Sequence, residues 1–340
     1  MKIGILNGGG DCAGLNAVTR AVVRKSDEYG YSVIGIRHGW AGLINLDAIP
    51  LTWNDVSNII HVGGTILHTT RTNPFRTKEG PDQVLKNIKE LGLDVLVAVG
   101  GEDTLSVGAK FSKLGMKVVG VPKTIDNDIV LADVTFGFDS AVNVTVEAID
   151  RIQTTAESHD RIMVVEVMGR HAGWIAAYAG IASGANLTLV PETPIDISEI
   201  CDLLKKRHDA KRLTSIVVVG EGCNLKNYPT TDQSKVDEFG HARLGGIGEI
   251  LAREIEKRVG IETRAVVLGH VVRGGAPSAY DRILATRLGV AAVDAIKNQT
   301  YGVMVCLRGN VMSHVPITDI LGKMKSLDAE TISLIKDFSD

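Results

Sequence analysis

Short apolar runs alternate with amphipathic segments along most of the 340-residue chain. The apolar runs are rich in Val and Ile and are bounded by Gly or Pro, which is typical of strands buried on both faces of a parallel sheet. They predict strands at Lys2–Leu6, Ser32–Ile36, Asp94–Val99, Lys117–Val121, Ile162–Val167, Ser215–Val219, Thr263–Leu268 and Val303–Leu307. The segments between them predict helices at Leu15–Glu28, Pro81–Leu91, Ser140–Glu157, Ile197–Lys211, Ile247–Val259 and Ala279–Lys297. This alternation predicts an α/β fold built from βαβ units.

About eight strands favour two sheets in two lobes over one very wide sheet. A substantial core is available, because 44% of the residues are hydrophobic and 23% are charged. The polar stretch Asn224–Gly246 is predicted to be a surface excursion that leads into a helix.

Composition and the start of the chain argue against two classes of partner. A net charge of −3 is not the basic footprint that nonspecific nucleic-acid binding requires. No apolar stretch reaches the roughly 18–20 residues that span a bilayer, and Met1–Leu6 runs directly into a strand without a secretion signal. The cysteines form no C-x-x-C pair and are predicted to be reduced thiols, which favours a cytoplasmic protein.

The first candidate site is the glycine-rich turn after the first strand, since ligands of α/β sheets bind at the carboxyl ends of strands. Residues 7–16 read Asn-Gly-Gly-Gly-Asp-Cys-Ala-Gly-Leu-Asn. Glycines let the backbone approach an anion, and the helix that follows offers unpaired N–H groups. The spacing is neither a Walker A motif nor a G-x-G-x-x-G motif. A phosphate loop and simple tight packing both remain open.

The second candidate is the acidic turn at residues 100–104, Gly-Gly-Glu-Asp-Thr. Carboxylates at this position make sense if Mg²⁺ mediates phosphate binding, because hard cations take oxygen ligands. Helix capping explains the same residues equally well, since acids are favourable in the first turn.

The third candidate is the turn at residues 122–128, Pro-Lys-Thr-Ile-Asp-Asn-Asp. A carboxylate here can serve as general base for a substrate hydroxyl, while Lys123 supplies charge for transferred phosphoryl oxygens. An Asx-turn would account for one Asp but not for the whole cluster. This turn therefore favours a catalytic role.

Arginines and acids at further strand ends form the fourth candidate. Guanidinium groups suit phosphate oxygens, and several that converge indicate a substrate with two anionic groups. A single arginine is ordinarily a solvated surface charge, but those beside glycines at strand ends favour a site. The candidates are Arg71, Arg76, Arg161, Arg170, Arg264 and Arg273, with His270 between Gly269 and Arg273, and Glu221 at another strand end.

Together these segments resemble the phosphofructokinase family. The matching motifs run in order over roughly residues 1–310, at 9–11, 100–104, 122–128, 168–170 and 268–275. The resemblance implies phosphoryl transfer to the 1-hydroxyl of fructose 6-phosphate, in a two-lobed, Rossmann-like fold of mostly parallel sheets flanked by helices. It places a larger donor-binding lobe at 1–137 plus about 272–322, a smaller sugar-phosphate lobe at about 138–271, and a helical tail at 323–340.

The resemblance also implies residue roles. Asp126 looks like the catalytic base, and Thr124 and Asp128 match positions that hold the sugar and the transferring group. Arg161 and Arg264 match arginines donated across a subunit interface, which implies a homodimer or homotetramer with shared active sites. The matches to sugar-phosphate contacts are Met168, Gly169, Arg170, Glu221, His270 and Arg273. The predicted donor contacts are Gly9, Arg71, Gly101, Asp103 and Lys123, the metal contact is Glu102, and Asp103, Lys123 and Arg170 are predicted to share catalysis with Asp126.

Two departures from the ATP-dependent pattern bear on the phosphoryl donor. Asp103 and Lys123 stand where ATP-using members typically carry Gly. A carboxylate where the α-phosphate of a nucleotide would pass repels it, and an added ammonium offsets the charge of a small donor. Both changes are similar to the pyrophosphate-dependent branch, so the resemblance implies inorganic pyrophosphate as donor with Mg²⁺ bridging its oxygens.

Other readings of the sequence stay in view. An ATP-dependent phosphofructokinase that tolerates Asp103 is the first alternative. An NAD-kinase-like enzyme leaves the arginine set without a purpose, and a non-catalytic sugar-phosphate sensor has no need of Asp126. A nicotinamide oxidoreductase is disfavoured, because the sequence lacks a G-x-G-x-x-G motif with an acid at the end of the second strand. Regulation is expected to be weak, because Gln153 and Asn186 replace residues of the allosteric site, although Arg20 and Arg24 persist.

Overall fold

A computed structural model describes residues 1–225, 231–236, 238–240 and 242–339. Its larger sheet runs in the order β14-β13-β5-β4-β1-β2-β3, with β6 beside β5, and is parallel except at the β13–β14 and β2–β3 pairs. The strands are β1 (Lys2–Asn7), β2 (Ser32–Ile36), β3 (Ala48–Leu51), β4 (Val95–Gly100), β5 (Val118–Thr124), β6 (Phe136–Gly137), β13 (Val303–Arg308) and β14 (Val311–Pro316).

A smaller, fully parallel sheet runs in the order β12-β7-β9-β8. Its strands are β7 (Ile162–Val167), β8 (Leu187–Leu189), β9 (Ser215–Gly220) and β12 (Thr263–Val267). Two further strands, β10 (Thr231–Val236) and β11 (Ala242–Leu244), form an antiparallel hairpin. The two sheets confirm the predicted α/β class and its mostly parallel pairing.

Helices cover both faces of the sheets. Gly289 lets two of them approach closely, because a Cβ there would lie 2.7 Å from the Cβ of Ala21. The helices are α1 (Leu15–Glu28), α2 (Trp40–Asn45), α3 (Gly80–Leu91), α4 (Glu102–Lys113), α5 (Phe138–His159), α6 (Trp174–Ser183), α7 (Ile197–Asp209), α8 (Ile247–Val259), α9 (Ala279–Lys297) and α10 (Ala329–Asp337).

All of the strands and helices predicted from the sequence are confirmed within two or three residues at each end. The elements that the sequence did not indicate are the short or half-exposed ones, such as β3 and β14 at the edges of the larger sheet. The helix α6 was also missed, because it is apolar on most faces and shows no amphipathic period.

The structure leaves some sequence predictions open. The strands of the larger sheet come from residues 2–137 and 303–316 and those of the smaller sheet from 162–267, but the lobe boundaries themselves stay a prediction. Within the predicted tail, the helix begins only at Ala329, after an extended segment. The predicted excursion at 224–246 lies partly outside the described residues, which omit 226–230, 237 and 241.

All four cysteines are free thiols with buried side chains. Across the part of the chain that the structure describes, no helix combines the length and the hydropathy needed to cross a bilayer.

Candidate active site

The carboxyl ends of three neighbouring strands, β1, β4 and β5, surround a cavity of about 270 Å³. It lies where the order of a parallel sheet brings the glycine-rich, acidic and Lys/Asp turns together. The predicted site residues that line it are Gly9, Arg71, Gly101, Glu102, Asp103, Lys123, Thr124, Asp126, Asp128, Arg170 and Arg273.

Thr104 explains why glycines are needed in two of these turns. Its side chain is buried at the start of α4 and leaves no room for a neighbour. A Cβ on Gly8 would lie 2.4 Å from the Thr104 Oγ1, and a Cβ on Gly100 would lie 2.4 Å from its Cβ. Gly9 has a φ of +82°, which favours glycine. The glycine-rich turn and the start of α4 therefore approach as closely as backbones allow.

Lys123 is a buried cation beneath the glycine-rich turn. Only 3% of its surface is exposed, and its ammonium donates a hydrogen bond to the carbonyl oxygen of Gly10. Burial lowers the pKa of Lys123, whereas the nearby Asp126 raises it. A desolvated ammonium that faces a cavity is strongly stabilised by an anion bound there.

Arg273 supports the same turn from the other side. Its Nη1 donates to the carbonyl oxygen of Asp11 at 2.9 Å, and its side chain is buried. A Cβ on Gly10 would lie 2.3 Å from that Nη1, so only glycine leaves space for the arginine. Two cations thus flank the backbone of the glycine-rich turn.

The turn after β5 holds two interacting carboxyl groups. Asp126 is 6% exposed, and its backbone N–H donates to the Thr124 Oγ1 at 3.0 Å. Its buried Oδ1 accepts no hydrogen bond from any described residue. Burial, followed by the neighbouring Asp126, raises the pKa of Asp128 to about 7. Because Asp126 lines the cavity, its carboxylate can accept a proton or a hydrogen bond from a bound molecule.

Glu102 and Asp103 lie in the first turn of α4 and also face the cavity. Both interpretations of this acidic turn are compatible with that geometry, since the helix dipole favours acids there. Glu102 has a further partner, because its Oε1 accepts a hydrogen bond from the N–H of Gly322 at 3.2 Å.

The acidic side chains of the cavity can hold a magnesium ion only together with oxygens of bound phosphate groups. Within the described residues, no group of three or more His, Cys, Asp or Glu side chains is placed to hold a metal. The carboxylates of Glu102, Asp103 and Asp126 are hard oxygen donors of residues that line the cavity, which suits a cation that arrives with its phosphates.

Arg170 reaches the cavity from the turn after β7. Its backbone has a φ of +51°, and its N–H donates to the Glu221 Oε1 at 3.2 Å. A Cβ on Gly222 would lie 1.6 Å from the carbonyl oxygen of Arg170, so the two turns are in direct contact. Burial raises the pKa of Glu221. Glu221 therefore holds the turn that presents Arg170 rather than lining the cavity itself.

Other predicted site residues lie outside the cavity of this chain. Arg161 pairs with Glu262 at 2.9 Å, and Arg264 pairs with Glu262 at 2.6 Å and with Glu256 at 3.6 Å. The remaining predicted residues that do not line the cavity are Arg76, Met168, Gly169, Glu221 and His270.

Sequence reasoning assigned no role to several residues that line the cavity. Gly10 and Thr104 lie within predicted motifs, and His171 follows Arg170 directly. Gly322, Lys323 and Met324 come from the extended segment before α10. Nothing in that segment indicates a site, because its approach depends on long-range packing.

With this geometry established, comparison with known proteins identifies the class. The profile described as phosphofructokinase matches residues 2–296, and the chain belongs to this family. A pyrophosphate–fructose 6-phosphate 1-phosphotransferase from Dictyoglomus thermophilum is 48% identical over 340 residues, which cover 99% of this chain and 98% of that protein. An ATP-dependent 6-phosphofructokinase from Mycobacterium bovis is 50% identical over 330 residues, or 96% of each chain.

A solved structure supports the fold. The pyrophosphate-dependent phosphofructokinase from Nitrosospira multiformis matches 96% of this chain and 86% of its own, with a TM-score of 0.85 at 20% sequence identity. Since relatives named for either donor are almost equally similar in sequence, overall identity does not decide the donor. The residues of the cavity have to decide it.

Proposed function

We propose that this protein transfers a phosphoryl group from inorganic pyrophosphate to the 1-hydroxyl of fructose 6-phosphate, and that the reaction is reversible. The products are fructose 1,6-bisphosphate and phosphate. The observation that carries the proposal is that Asp103 and Lys123 line the same cavity as the glycine-rich turn. Relatives whose names state this activity, such as the one from Dictyoglomus thermophilum, support it.

Asp103 selects the donor by exclusion. Pyrophosphate is short and can end where this carboxylate begins, whereas ATP has to place its α-phosphate and ribose beyond it. Like charges about 4 Å apart repel by roughly 4 kcal/mol at an effective dielectric constant near 20. Lys123 selects in the opposite sense, because its buried ammonium stabilises the concentrated charge of a small donor.

Asp126 acts as the general base. Its carboxylate takes the proton of the 1-hydroxyl, and the resulting oxygen nucleophile attacks the nearer phosphorus as the bond to the departing phosphate breaks. Lys123, Arg71 and Arg170 offset the negative charge that spreads over the transferring oxygens. Thr124 and Asp128 hold the sugar and the transferring group in line.

A bound magnesium ion would neutralise part of the charge of the donor phosphates. Glu102 and Asp103 are the side chains that we propose hold it, with Gly9 and Gly101 presenting backbone to the donor phosphates.

The sugar phosphate binds at the other end of the cavity, where Arg170 and Arg273 contact it from the same chain. Met168, Gly169, Glu221 and His270 lie outside the cavity wall, and only the family resemblance supports a contact role for them. Arg161 and Arg264 serve the cavity of a neighbouring protomer, so the active form is a homodimer or homotetramer. The position of both arginines outside the cavity of their own chain supports this arrangement.

The cytoplasm is the proposed location. Four buried thiols that pair with no other cysteine suit a reducing compartment, and the proposed substrates suit a soluble sugar-phosphate metabolism.

Initial-rate kinetics with fructose 6-phosphate and Mg²⁺ test the proposal, with pyrophosphate and ATP as rival donors. We expect a far higher kcat/KM with pyrophosphate, and phosphate-dependent breakdown of fructose 1,6-bisphosphate in the reverse assay. A preference for ATP would replace this proposal with the second candidate, which the name of the mycobacterial relative supports. Phosphorylation of NAD, or binding of sugar phosphate without turnover, would contradict both.

A further inference from the structure

The segment 321–328 before α10, here termed the strap, borders the active-site cavity at Gly322, Lys323 and Met324. The N–H of Gly322 donates to the Glu102 Oε1 at 3.2 Å, at the start of α4. At the other end, the N–H of Leu327 donates to the Glu192 Oε1 at 3.1 Å. The same carboxylate oxygen accepts the N–H of Gly173 at 3.0 Å, just before α6. The strap therefore ties together elements on both sides of the cavity.

Lys325 is the most connected residue of the strap. Its Nζ donates to the carbonyl oxygens of Asp133 at 2.6 Å and Ala132 at 3.1 Å, and to the Asn127 Oδ1 at 3.3 Å. Its own carbonyl oxygen accepts the Trp174 Nε1–H at 2.9 Å, and the ammonium lies 4.9 Å from the centroid of that indole ring. Burial lowers the pKa of Lys325 to about 8, so most of it stays protonated at neutral pH.

Lys325 contacts the two residues that follow the proposed base Asp126, which are Asn127 and Asp128. Asn127 lies between Asp126 and Asp128 in the chain, and its φ of +52° is in the left-handed region, which is uncommon for residues other than glycine. Its Oδ1 accepts from the N–H of Thr135 at 3.1 Å as well as from Lys325. The N–H of Lys325 also donates to the Asp128 carbonyl oxygen at 2.8 Å. One residue thus fixes both the side chain of Asn127 and the backbone of Asp128.

We propose that Lys325 is a positioning residue for the reaction: it holds the turn 124–128 in the geometry that directs Asp126 at the acceptor hydroxyl. This rests on the proposed function. Lys325 does not line the cavity and acts only through Asn127 and Asp128. Displacing a catalytic group by about 1 Å can cost roughly 10²-fold in rate, while the surfaces that bind substrates stay intact.

The test begins with Lys325→Met. We expect kcat to fall roughly 10- to 100-fold, with the KM values for both substrates within about 2-fold of the wild type. Lys325 and Arg308 both line a second cavity of about 380 Å³ beside the active site. Arg308→Met is therefore the matched control, because it removes a charge from the cavity that Lys325 also lines. Among the described contacts, Arg308 donates no hydrogen bond to the turn 124–128, so its kcat should not change. A wild-type kcat in Lys325→Met, or raised KM values with kcat intact, overturns the proposal.

Chemical rescue separates positioning from mere structural support. Lys325→Cys is treated with 2-bromoethylamine, which restores an ammonium at nearly the original reach, or with iodoacetamide, which leaves a neutral group. The native cysteines are buried and protected from both reagents. We expect the amine to recover about 10-fold or more in kcat and the amide to recover none. Equal recovery with both reagents overturns a role for the charge.

Trp174→Phe keeps the proposal falsifiable if Lys325→Met fails to fold. It removes the indole donor to the carbonyl oxygen of Lys325, replaces the indole beneath the Lys325 ammonium by a smaller ring, and should lower kcat by roughly 2- to 10-fold without raising KM. An unchanged kcat overturns the positioning role.

All variants are assayed with both pyrophosphate and ATP. If the wild type prefers ATP, the proposed donor fails, and the kcat of Lys325→Met with ATP still decides the role of Lys325. If the wild type uses pyrophosphate and Lys325→Met keeps its kcat, only the positioning proposal fails. If the wild type uses neither donor, both proposals fail.

Discussion

At the donor end of the cavity, Lys123 and Thr104 keep only 3% and 2% of their surface exposed, whereas the side chain of Arg264, assigned to the sugar-phosphate end, is 53% exposed. The donor residues are fixed by close backbone approaches and by hydrogen bonds within the chain. Arg161 and Arg264, in contrast, pair with Glu262 outside the cavity, and their side chains are 30% and 53% exposed. Under the proposed function, the donor end is complete within this chain, whereas the sugar-phosphate end receives these two arginines from a neighbouring protomer.

The difference indicates where rigidity is needed. A small donor has few atoms to grip, so its charges have to be met by groups that are already in place. Exposed ion pairs are weak, and their arginines can turn to a phosphate without a large loss of stability. We therefore expect substitutions at the donor end to change turnover, and substitutions of these two arginines to change substrate binding in a neighbouring protomer.

Loss of the proposed base gives the largest expected effect. Asp126→Asn should lower kcat by roughly 10²- to 10⁴-fold, because the amide cannot accept the proton of the 1-hydroxyl. The KM for fructose 6-phosphate should change little, since the amide is nearly isosteric. Steady-state kinetics measure both, with the exposed Asp82 changed to Asn as control. A near-normal kcat would remove Asp126 from this role.

The second-largest effect is expected for the loss of Arg161, which lies outside the cavity of its own chain. Arg161→Ala should lower kcat/KM for fructose 6-phosphate by roughly 10- to 150-fold, the effect of one charge-assisted phosphate contact. Arg151→Ala serves as control, because that arginine is 77% exposed on α5 and pairs only with Glu147 among the described contacts.

Mixing inactive chains sharpens this second prediction. If the neighbouring protomer supplies Arg161, a hybrid of Asp126→Asn and Arg161→Ala chains contains one intact site. Activity should therefore rise when the two variants are unfolded and refolded together. Failure to recover activity in oligomers shown to be mixed would place Arg161 in the site of its own chain.

Asp128 provides a pH-dependent probe of the turn after β5. Burial, and then the proximity of Asp126, raise the pKa of Asp128 from its ordinary value near 3.8 to about 7. Between about pH 4 and pH 7 the folded protein holds this proton and the unfolded chain does not. The contribution of Asp128 to the free energy of unfolding therefore falls as the pH rises through that window.

Asp128→Asn should remove this dependence. At pH 8 the variant is expected to gain up to about 4 kcal/mol in the free energy of unfolding, although it loses activity. At pH 4 the two proteins should differ little. Urea titrations at both pH values measure the contrast, and equal stabilities at pH 8 would show that burial of this carboxylate costs nothing.

The smallest effect is expected for allosteric effectors. Arg20 and Arg24 line a separate cavity of about 420 Å³, where the guanidinium of Arg24 lies 4.0 Å from the ring centroid of Trp53. The family resemblance implies that Gln153 and Asn186 stand where allosteric members tend to carry Arg and Glu, so we expect saturation by fructose 6-phosphate to be hyperbolic and insensitive to ADP and phosphoenolpyruvate. Sigmoidal curves that ADP straightens would contradict this.

The sequence predicted most of the fold because the central strands are apolar on both faces. Edge strands carry no such pattern: β14 is largely exposed, and β3 contains Pro50. The helix α6 was missed for the opposite reason, since burial on most sides removes the amphipathic period. Strands were therefore predictable when both of their faces are buried, and helices when only one face is.

The same contrast holds within the site. Lys123 and Asp126 were predicted because parallel strands gather their carboxyl ends at one edge. The strap was not, because it reaches the cavity through contacts such as Lys325 to Asn127, which are 198 residues apart in the chain. Local turn chemistry predicts which residues leave a strand, but not which distant segment closes over them.

Donor choice tests the central claim most directly. The measurement is the ratio of kcat/KM for ATP to kcat/KM for pyrophosphate, in the wild type and in Asp103→Gly, with Lys123→Gly as the complementary variant. We predict a strong preference for pyrophosphate in the wild type and a rise of this ratio by up to about 10³-fold in Asp103→Gly, equivalent to the roughly 4 kcal/mol of repulsion removed. Lys123→Gly should instead lower turnover with pyrophosphate. A wild type that prefers ATP, or a ratio that Asp103→Gly leaves unchanged, would contradict the account.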